Sequence, residues 1–510
     1  MASLLTIPLE LLVAISALLP TEDLGALRLV CKQTEKSLYE WFSQEFFTKK
    51  QFMLTHTSLQ ALVDISKHAS FSKKLTHVII ATNVYEEIPL RFRDEEAAAK
   101  YIQGYEEQKA LLSTGVDREM LSEAFSRLEN LQTVGIRDFD SNKRTRDGKS
   151  WSSWGATTVY RETGVRLSFA DRGSYSPEIT TRFVSRIFSS VLYALGRASR
   201  QPPQFEVLLR QHGLLDSAFF LPDFLLLTIE PVLRNMTTLL LNVSLAIRLL
   251  HTHSNGTSAD LHPGRSLRHF LRHTPNLTHL RLNFEKHLVA NNEAFLSWLS
   301  TPPPPAMPVS FLHPDPIALP FLKTLELGQQ SIRADILISL IAKFAPTLEA
   351  LSLWRMNIHS FTHIPMGHQP NFWRDFFNKV SRIPQLNLTH LKVGMLQQDH
   401  SRVDFREKEG AKPLKVKEHT GKGMDKFWEE LAEQVFVDRQ PGLSHTNGDD
   451  SDGDEDIDGG EEEEEEDDEE EGDDDDVEEE EEEEYGDDDD DSDVSETDEQ
   501  YNAAYAGAVW

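Results

Sequence analysis

The sequence predicts a mixed α+β (α/β) chain in three parts: a helical domain over 1–55, a repetitive strand-and-helix region over 56–440, and a disordered acidic tail over 441–510. Three observations predict it. Residues 4–54 carry apolar side chains at the three-to-four-residue spacing of amphipathic helices. Through the middle of the chain a short apolar phrase returns seven times, in several cases just after a helix-like stretch closed by proline. Residues 447–499 hold 38 Asp and Glu and no Lys or Arg, a composition too polar and self-repelling to fold alone.

In the first part, Pro8 suits the first turn of a helix, where its missing N–H has no partner to lose. Leu11, Leu12, Ile15, Leu18 and Leu19 follow at helical spacing, and Pro20 stops the run. Thr21 is the expected cap of a second helix whose first turn carries Glu22 and Asp23, favourable at the positive end of the dipole. Leu24, Leu27, Arg28 and Cys31 then share a face, followed by Leu38, Trp41, Phe42 and Phe46. A helical hairpin of this size rarely builds a stable core alone, so its surplus apolar surface implies a partner.

The order Ile7-Pro8, Glu10-Leu11-Leu12, Ile15, Leu19, Asp23-Leu24, Leu27-Arg28, Val30-Cys31-Lys32 resembles the F-box pattern, with Ile7 where the family usually has Leu. The continuation FFTKKQFML is similar to F-box proteins of filamentous fungi. The resemblance covers about a tenth of the chain. It implies docking on a Skp-family adaptor and, through it, a cullin–RING ubiquitin ligase. Ile7, Pro8, Leu11, Leu12, Ile15, Leu24, Leu27 and Val30 would then divide between an internal core and the adaptor contact, with the division open.

The middle phrase is Leu-x-x-Leu-x-Leu, with Val, Ile or Met allowed, starting at Leu75, Leu131, Met236, Leu277, Leu322, Leu348 and Leu388. Helix, break and short strand make up the unit of a leucine-rich-repeat solenoid. The intervals between starts are 56, 105, 41, 45, 26 and 40 residues, against about 20–29 in a regular array. The expected fold is therefore an irregular leucine-rich-repeat-like solenoid with insertions. Because side chains alternate across a strand, the fourth and sixth positions of each phrase point inward and the third, fifth and seventh outward. That places His279, Arg281, Asn283, Thr324, Glu326, Ser352, Trp354, His390 and Lys392 on one outer face, the candidate substrate surface. Trp354 beside Arg281 and Lys392 has the composition of a binding hot spot.

Between the phrases, residues 140–176 are rich in Gly, Ser, Arg and Lys without periodicity and read as a loop insertion. Within it, KRTR (Lys143–Arg146) is a weak nuclear-import signal. TPPPPAMP from Thr301 reads as a stiff connector. NFWRDFFNKV (Asn371–Val380) has the apolar spacing of a helix packed into a core.

No sequence pattern points to catalysis, a cofactor or a metal. A phosphate-binding glycine loop, a nucleophile elbow and a cysteine cluster are missing, and RHFLRH (His269, His273) lacks the Glu of a zinc-protease motif. The single cysteine, Cys31, reads as a buried structural thiol in a reducing compartment. The first twenty residues lack the basic start of a secretory signal, and no apolar run is long enough to span a bilayer. The net charge of −33 resides in the tail: without its 38 acids, 46 acidic residues face 51 basic ones, a net of +5. Such a polyanion disfavours nucleic-acid binding. The expected protein is a non-enzymatic substrate adaptor of an SCF-type ubiquitin ligase, cytoplasmic or nuclear, with an unknown protein substrate. The alternative is a nuclear scaffold or chaperone-like protein that binds basic proteins through the tail.

Overall fold

The computed structural model describes residues 7–87, 90–143, 150–167, 169, 177–246, 263–285, 287–304, 314–360, 370–408 and 410–438. The acidic tail, the continuation of KRTR past Lys143 and the continuation of the proline run past Pro304 lie outside the described residues.

The N-terminal part is three helices rather than two: α1 (Leu9–Ala17), α2 (Thr21–Leu29) and α3 (Lys32–Phe47). Pro8 and Pro20 occupy the N-cap positions of α1 and α2, so Thr21 is the first helical residue and not the cap. The apolar face that seemed to continue past Cys31 is broken there. Cys31 is fully extended (φ −163°, ψ 161°), and its sulfur accepts the Thr34 N–H as the N-cap of α3. Leu38, Phe42 and Phe46 of α3 are buried, and the Arg28 guanidinium lies 3.5 Å from the Phe42 ring centre. The expected helical domain of 1–55 also contains a strand, β1 (Lys49–Met53), which belongs to the main sheet.

From there helices and strands alternate. α4 (His56–Lys67) and α5 (Phe71–Lys74) lead to β2 (His77–Ala81), and α6 (Glu95–Thr114) and α7 (Val116–Arg127) lead to β3 (Thr133–Arg137). A small ribbon, β4 (Ser141–Lys143) and β5 (Ser150–Trp151), precedes α8 (Ala156–Thr163), α9 (Pro177–Arg197) and β6 (Gln204–Leu208). Next come β7 (Leu214–Leu215), α10 (Asp223–Asn235), β8 (Thr238–Ser244), α11 (Arg265–Arg272), β9 (His279–Phe284) and α12 (Val289–Ser300). β10 (Thr324–Ile332), α13 (Ala334–Phe344), β11 (Ala350–Ile358), α14 (Phe372–Val380) and β12 (His390–Gly394) continue the alternation. The last elements are β13 (Leu396–Gln398), β14 (Ser401–Phe405), β15 (Val416–Thr420), α15 (Met424–Gln434) and β16 (Val435–Asp438).

Among the described residues, fourteen strands form one sheet, parallel and in chain order through β1-β2-β3-β6-β8-β9-β10-β11. Each strand starts level with its predecessor. The N–H groups of Gln204, Thr238, His279, Thr324, Ala350 and His390 each donate to a carbonyl just before the preceding strand. One parity of the strands, including Val78, Val134, Phe205, Leu239, Leu280, Leu325, Leu351 and Leu391, joins a continuous core with the helices. In α14, Trp373, Phe376, Phe377 and Val380 are buried, as their spacing predicts. Beyond β11 the sheet ends in antiparallel pairs: β15 on β12, β14 on β13 and β16 on β14.

Candidate functional site

Two surfaces stand out, one at each end of the sheet. At the N-terminal end, Leu12 and Leu24 are buried under α3, while Leu11, Ile15, Leu18 and Val30 are exposed, together with Leu9 and Leu29. Leu18 is 86% exposed and Val30 67%. Leu11, Ile15 and the C-cap residue Leu18 stand four and three residues apart and so follow one face of α1. Of the other residues singled out in this segment, Ile7 and Leu27 are half-buried against the core and Pro8 is exposed. Six exposed apolar side chains within 22 residues exceed what an unpartnered helical pair ordinarily leaves to water. Cys31 is half-buried rather than fully buried, and hydrogen bonds from Thr34 lower its pKa.

The second surface is the outer face of the sheet, where the strand registers align the candidate residues into rows. One row runs His279, Thr324, Ala350, His390 and Thr420; the next runs Arg281, Glu326, Ser352, Lys392 and Glu418. The third is Asn283, Gly328, Trp354, Gly394 and Val416. All nine candidates are half-buried and alternate with fully buried core residues.

Arg281 pairs with Glu326 on the neighbouring strand. Its Nε donates to Glu326 Oε2 at 2.8 Å, and His279 Nε2 bonds the other carboxylate oxygen. Burial alone would raise the Glu326 pKa, but the His279 hydrogen bond and the Arg281 charge outweigh it and hold the carboxyl at about 2. On the far side, Lys392 Nζ and His390 Nε2 stand 3.8 and 3.7 Å from Glu418. Lys392 also lies 5.5 Å from the centre of the Trp354 ring. That ring lies across Gly394, where an added Cβ would sit 2.4 Å from Cζ3.

The same face over the first strands is largely buried, apart from its first row, where Lys49 and His77 are half-buried and Gln204 is exposed. Gln51, Ile79, Thr133, Arg137 and Glu206 occupy the equivalent rows and are buried. Part of the stretch expected to be a loop insertion packs on Gln51. Gln51 Nε2 donates to Phe139 O and Ser153 Oγ, Trp154 N donates to Gln51 O, and Ser153 Oγ bonds Asn83 Oδ1. Met53, Tyr101 and Leu167 form a small second core there. Phe139 packs on Leu208 and Leu240, with the Arg210 guanidinium 4.2 Å from its ring centre. His77 is half-buried near Lys49 and Arg137, and desolvation chiefly pushes its pKa down to about 2, which keeps it neutral beside Glu206. The accessible face is therefore its later half, β9 to β12, with β15 as its border.

No family model and no curated protein sequence matches the chain.

The three histidines of the recurring Leu-Thr-His phrase fall in one row, His77 on β2, His279 on β9 and His390 on β12, too far apart to act together. The His269 and His273 rings lie 5.1 Å apart, tilted by 50°, and burial lowers the pKa of both. Among the described residues no group of three or more His, Cys, Asp and Glu is arranged to hold a metal, and no helix is long and apolar enough to cross a membrane. Sequence reasoning missed Val416, which stands in the third row on the border strand outside any recurring phrase. It also missed Glu418 as the partner of Lys392.

Proposed function

We propose that this chain is the substrate-recognition adaptor of an SCF-type cullin–RING ubiquitin ligase, with α1–α3 as its F-box. The observation that carries the reading is the split within that segment. Leu12 and Leu24 are committed to the fold, while Leu11, Ile15, Leu18, Leu29 and Val30 are left in water. A Skp-family adaptor would cover these side chains, each contributing about 1.5–3 kcal/mol on full burial. The in-order parallel strands with level starts support an irregular leucine-rich-repeat-like solenoid as the substrate-bearing part. Such a protein needs no chemistry of its own. It raises the local concentration of substrate at the ligase, turning an encounter between molecules into an effectively intramolecular one.

The test is co-purification with a Skp-family protein. Leu18→Asp with Val30→Asp is expected to abolish capture while leaving the melting temperature near wild type, and truncation after Gly442 is expected to leave capture intact. Undiminished capture by the double variant ends the proposal. The concentration of 38 acids in 447–499 favours a second reading, a scaffold for basic proteins. That reading requires the opposite outcome: salt-sensitive binding to histones that the truncation removes.

A further inference from the structure

We propose that the open half of the sheet face recognises an extended, uncharged peptide segment presenting a proline, aromatic or branched aliphatic side chain. This rests on the adaptor reading and names the class of substrate it would carry. The argument begins with charge. The cations of β9 and β12 have carboxylate partners on neighbouring strands, Arg281 with Glu326 and Lys392 with Glu418. A charged peptide would have to displace one of these partners and leave a half-buried charge uncompensated, which is costly. An uncharged segment meets no such obstacle.

The apolar part of the face lies in one place. Among the described outer-row residues of β9 to β12, Trp354 is the only large apolar side chain. Its ring lies over Gly394, and in the same row on the far side of that glycine stands Val416, 36% exposed. Gly394 thus gives Trp354 a flat seat, and Trp354 and Val416 are the apolar members of this row. Beside it Asn283, Thr324 and Ser352 offer neutral hydrogen-bonding groups. A central aromatic anchor with a polar, charge-satisfied rim is the anatomy of a hot spot.

The experiment uses the full chain as bait for a displayed random-peptide library. Selected peptides are expected to lack net charge and to carry proline, aromatic or branched aliphatic residues. Their affinity is expected to change less than about twofold between low and high salt. Trp354→Ala is expected to weaken them at least about tenfold. Because Trp354 packs against the sheet, Val416→Asp serves as a second variant at an exposed position, with the same loss expected at unchanged melting temperature. An empty selection, strongly acidic or basic peptides with steep salt dependence, or indifference to both variants overturns the proposal. Adaptor capture through α1 and α2 is scored on the same samples, so failure of the ligase reading and failure of this one are separately visible.

Discussion

Replacing Glu326 with Gln removes the carboxylate that holds His279 and Arg281 on the open face. In the folded chain its pKa is about 2, against 4.5 for an ordinary Glu. That gap is worth roughly 3 kcal/mol at about 1.4 kcal/mol per unit. The side chain is only 19% exposed, so solvent screening removes little of it. Because the folded pKa is depressed, the unfolded chain takes up the proton first as pH falls. The stabilisation is therefore complete above pH 4.5 and is lost between 4.5 and about 2. Urea unfolding of wild type and Glu326→Gln at about pH 7 should differ by roughly 2–3 kcal/mol, and the difference should shrink by about 2 kcal/mol at about pH 3. Both proteins carry the same acidic tail, so its titration cancels in the comparison. A variant within about 0.5 kcal/mol of wild type at neutral pH, or a difference that does not change with pH, refutes the ion-pair account.

The N-terminal helices should separate stability from capture. Leu12→Ala, at a buried position, is expected to cost about 2–5 kcal/mol in chemical denaturation, whereas Leu18→Ala, at an exposed one, should stay within about 0.5 kcal/mol yet weaken adaptor binding. Gly394→Leu pushes a side chain into the Trp354 ring, so its melting temperature should drop by the equivalent of about 1–3 kcal/mol, and peptides selected on the wild-type face should no longer bind. Lys343 Nζ donates to the carbonyls of Leu299, Thr301 and Ile317 at 2.6, 2.9 and 2.6 Å, tying together the two flanks of the proline-rich connector. Lys343→Met leaves those acceptors without the ammonium and should cost about 2–3 kcal/mol in urea unfolding; a loss below about 0.5 kcal/mol would show that the connector holds its place without it.

Much of the architecture is legible where local periodicity and tertiary burial agree. Leu280, Leu282, Leu325, Leu327, Leu351 and Leu353 read inward from their phrases, and the strands place them in the core. β1 and β6 escaped because KKQFM and QFEVL lack the leucines of the phrase, and only their pairing with β2, β3 and β8 defines them as strands. The third N-terminal helix escaped because a single extended residue, Cys31, resets the helical phase without a proline or glycine to mark the break. The coverage of the early face could not be read locally. Gln51, Asn83, Phe139 and Ser153 meet across as many as 102 positions in sequence. Three adjacent strands also pass through left-handed residues at matching places, Gln329 (φ 56°), Arg355 (φ 51°) and Met395 (φ 52°). None is a glycine, so no residue type announced the bend.

If the chain acts as the proposed ligase adaptor, the largely buried early face has a consequence for ubiquitin transfer. The N-terminal helices pack beside β1, while the open face is centred on β10 and β11, six or seven strands along the sheet order. At about 4.8 Å per strand the two surfaces are separated by roughly 30 Å. Continuous backbone hydrogen bonding fixes this spacing, and the second and third rows of β1 to β6 are buried, which leaves a substrate little seat nearer the helices. A lysine within reach of the transferring enzyme must then lie at a restricted distance from the segment seated on Trp354. A reporter joined to a face-binding peptide through linkers of graded length, and carrying one lysine, should be modified best at one length. The same reporter fused after Trp510, beyond the 38 acids of 447–499, should show a shallower dependence, because a segment of that composition is expected not to fold alone. Mass-spectrometric counting of ubiquitin remnants across the linker series reads this out. An equally flat dependence for both attachments would mean that proximity alone, without the geometry of the sheet, selects the lysine.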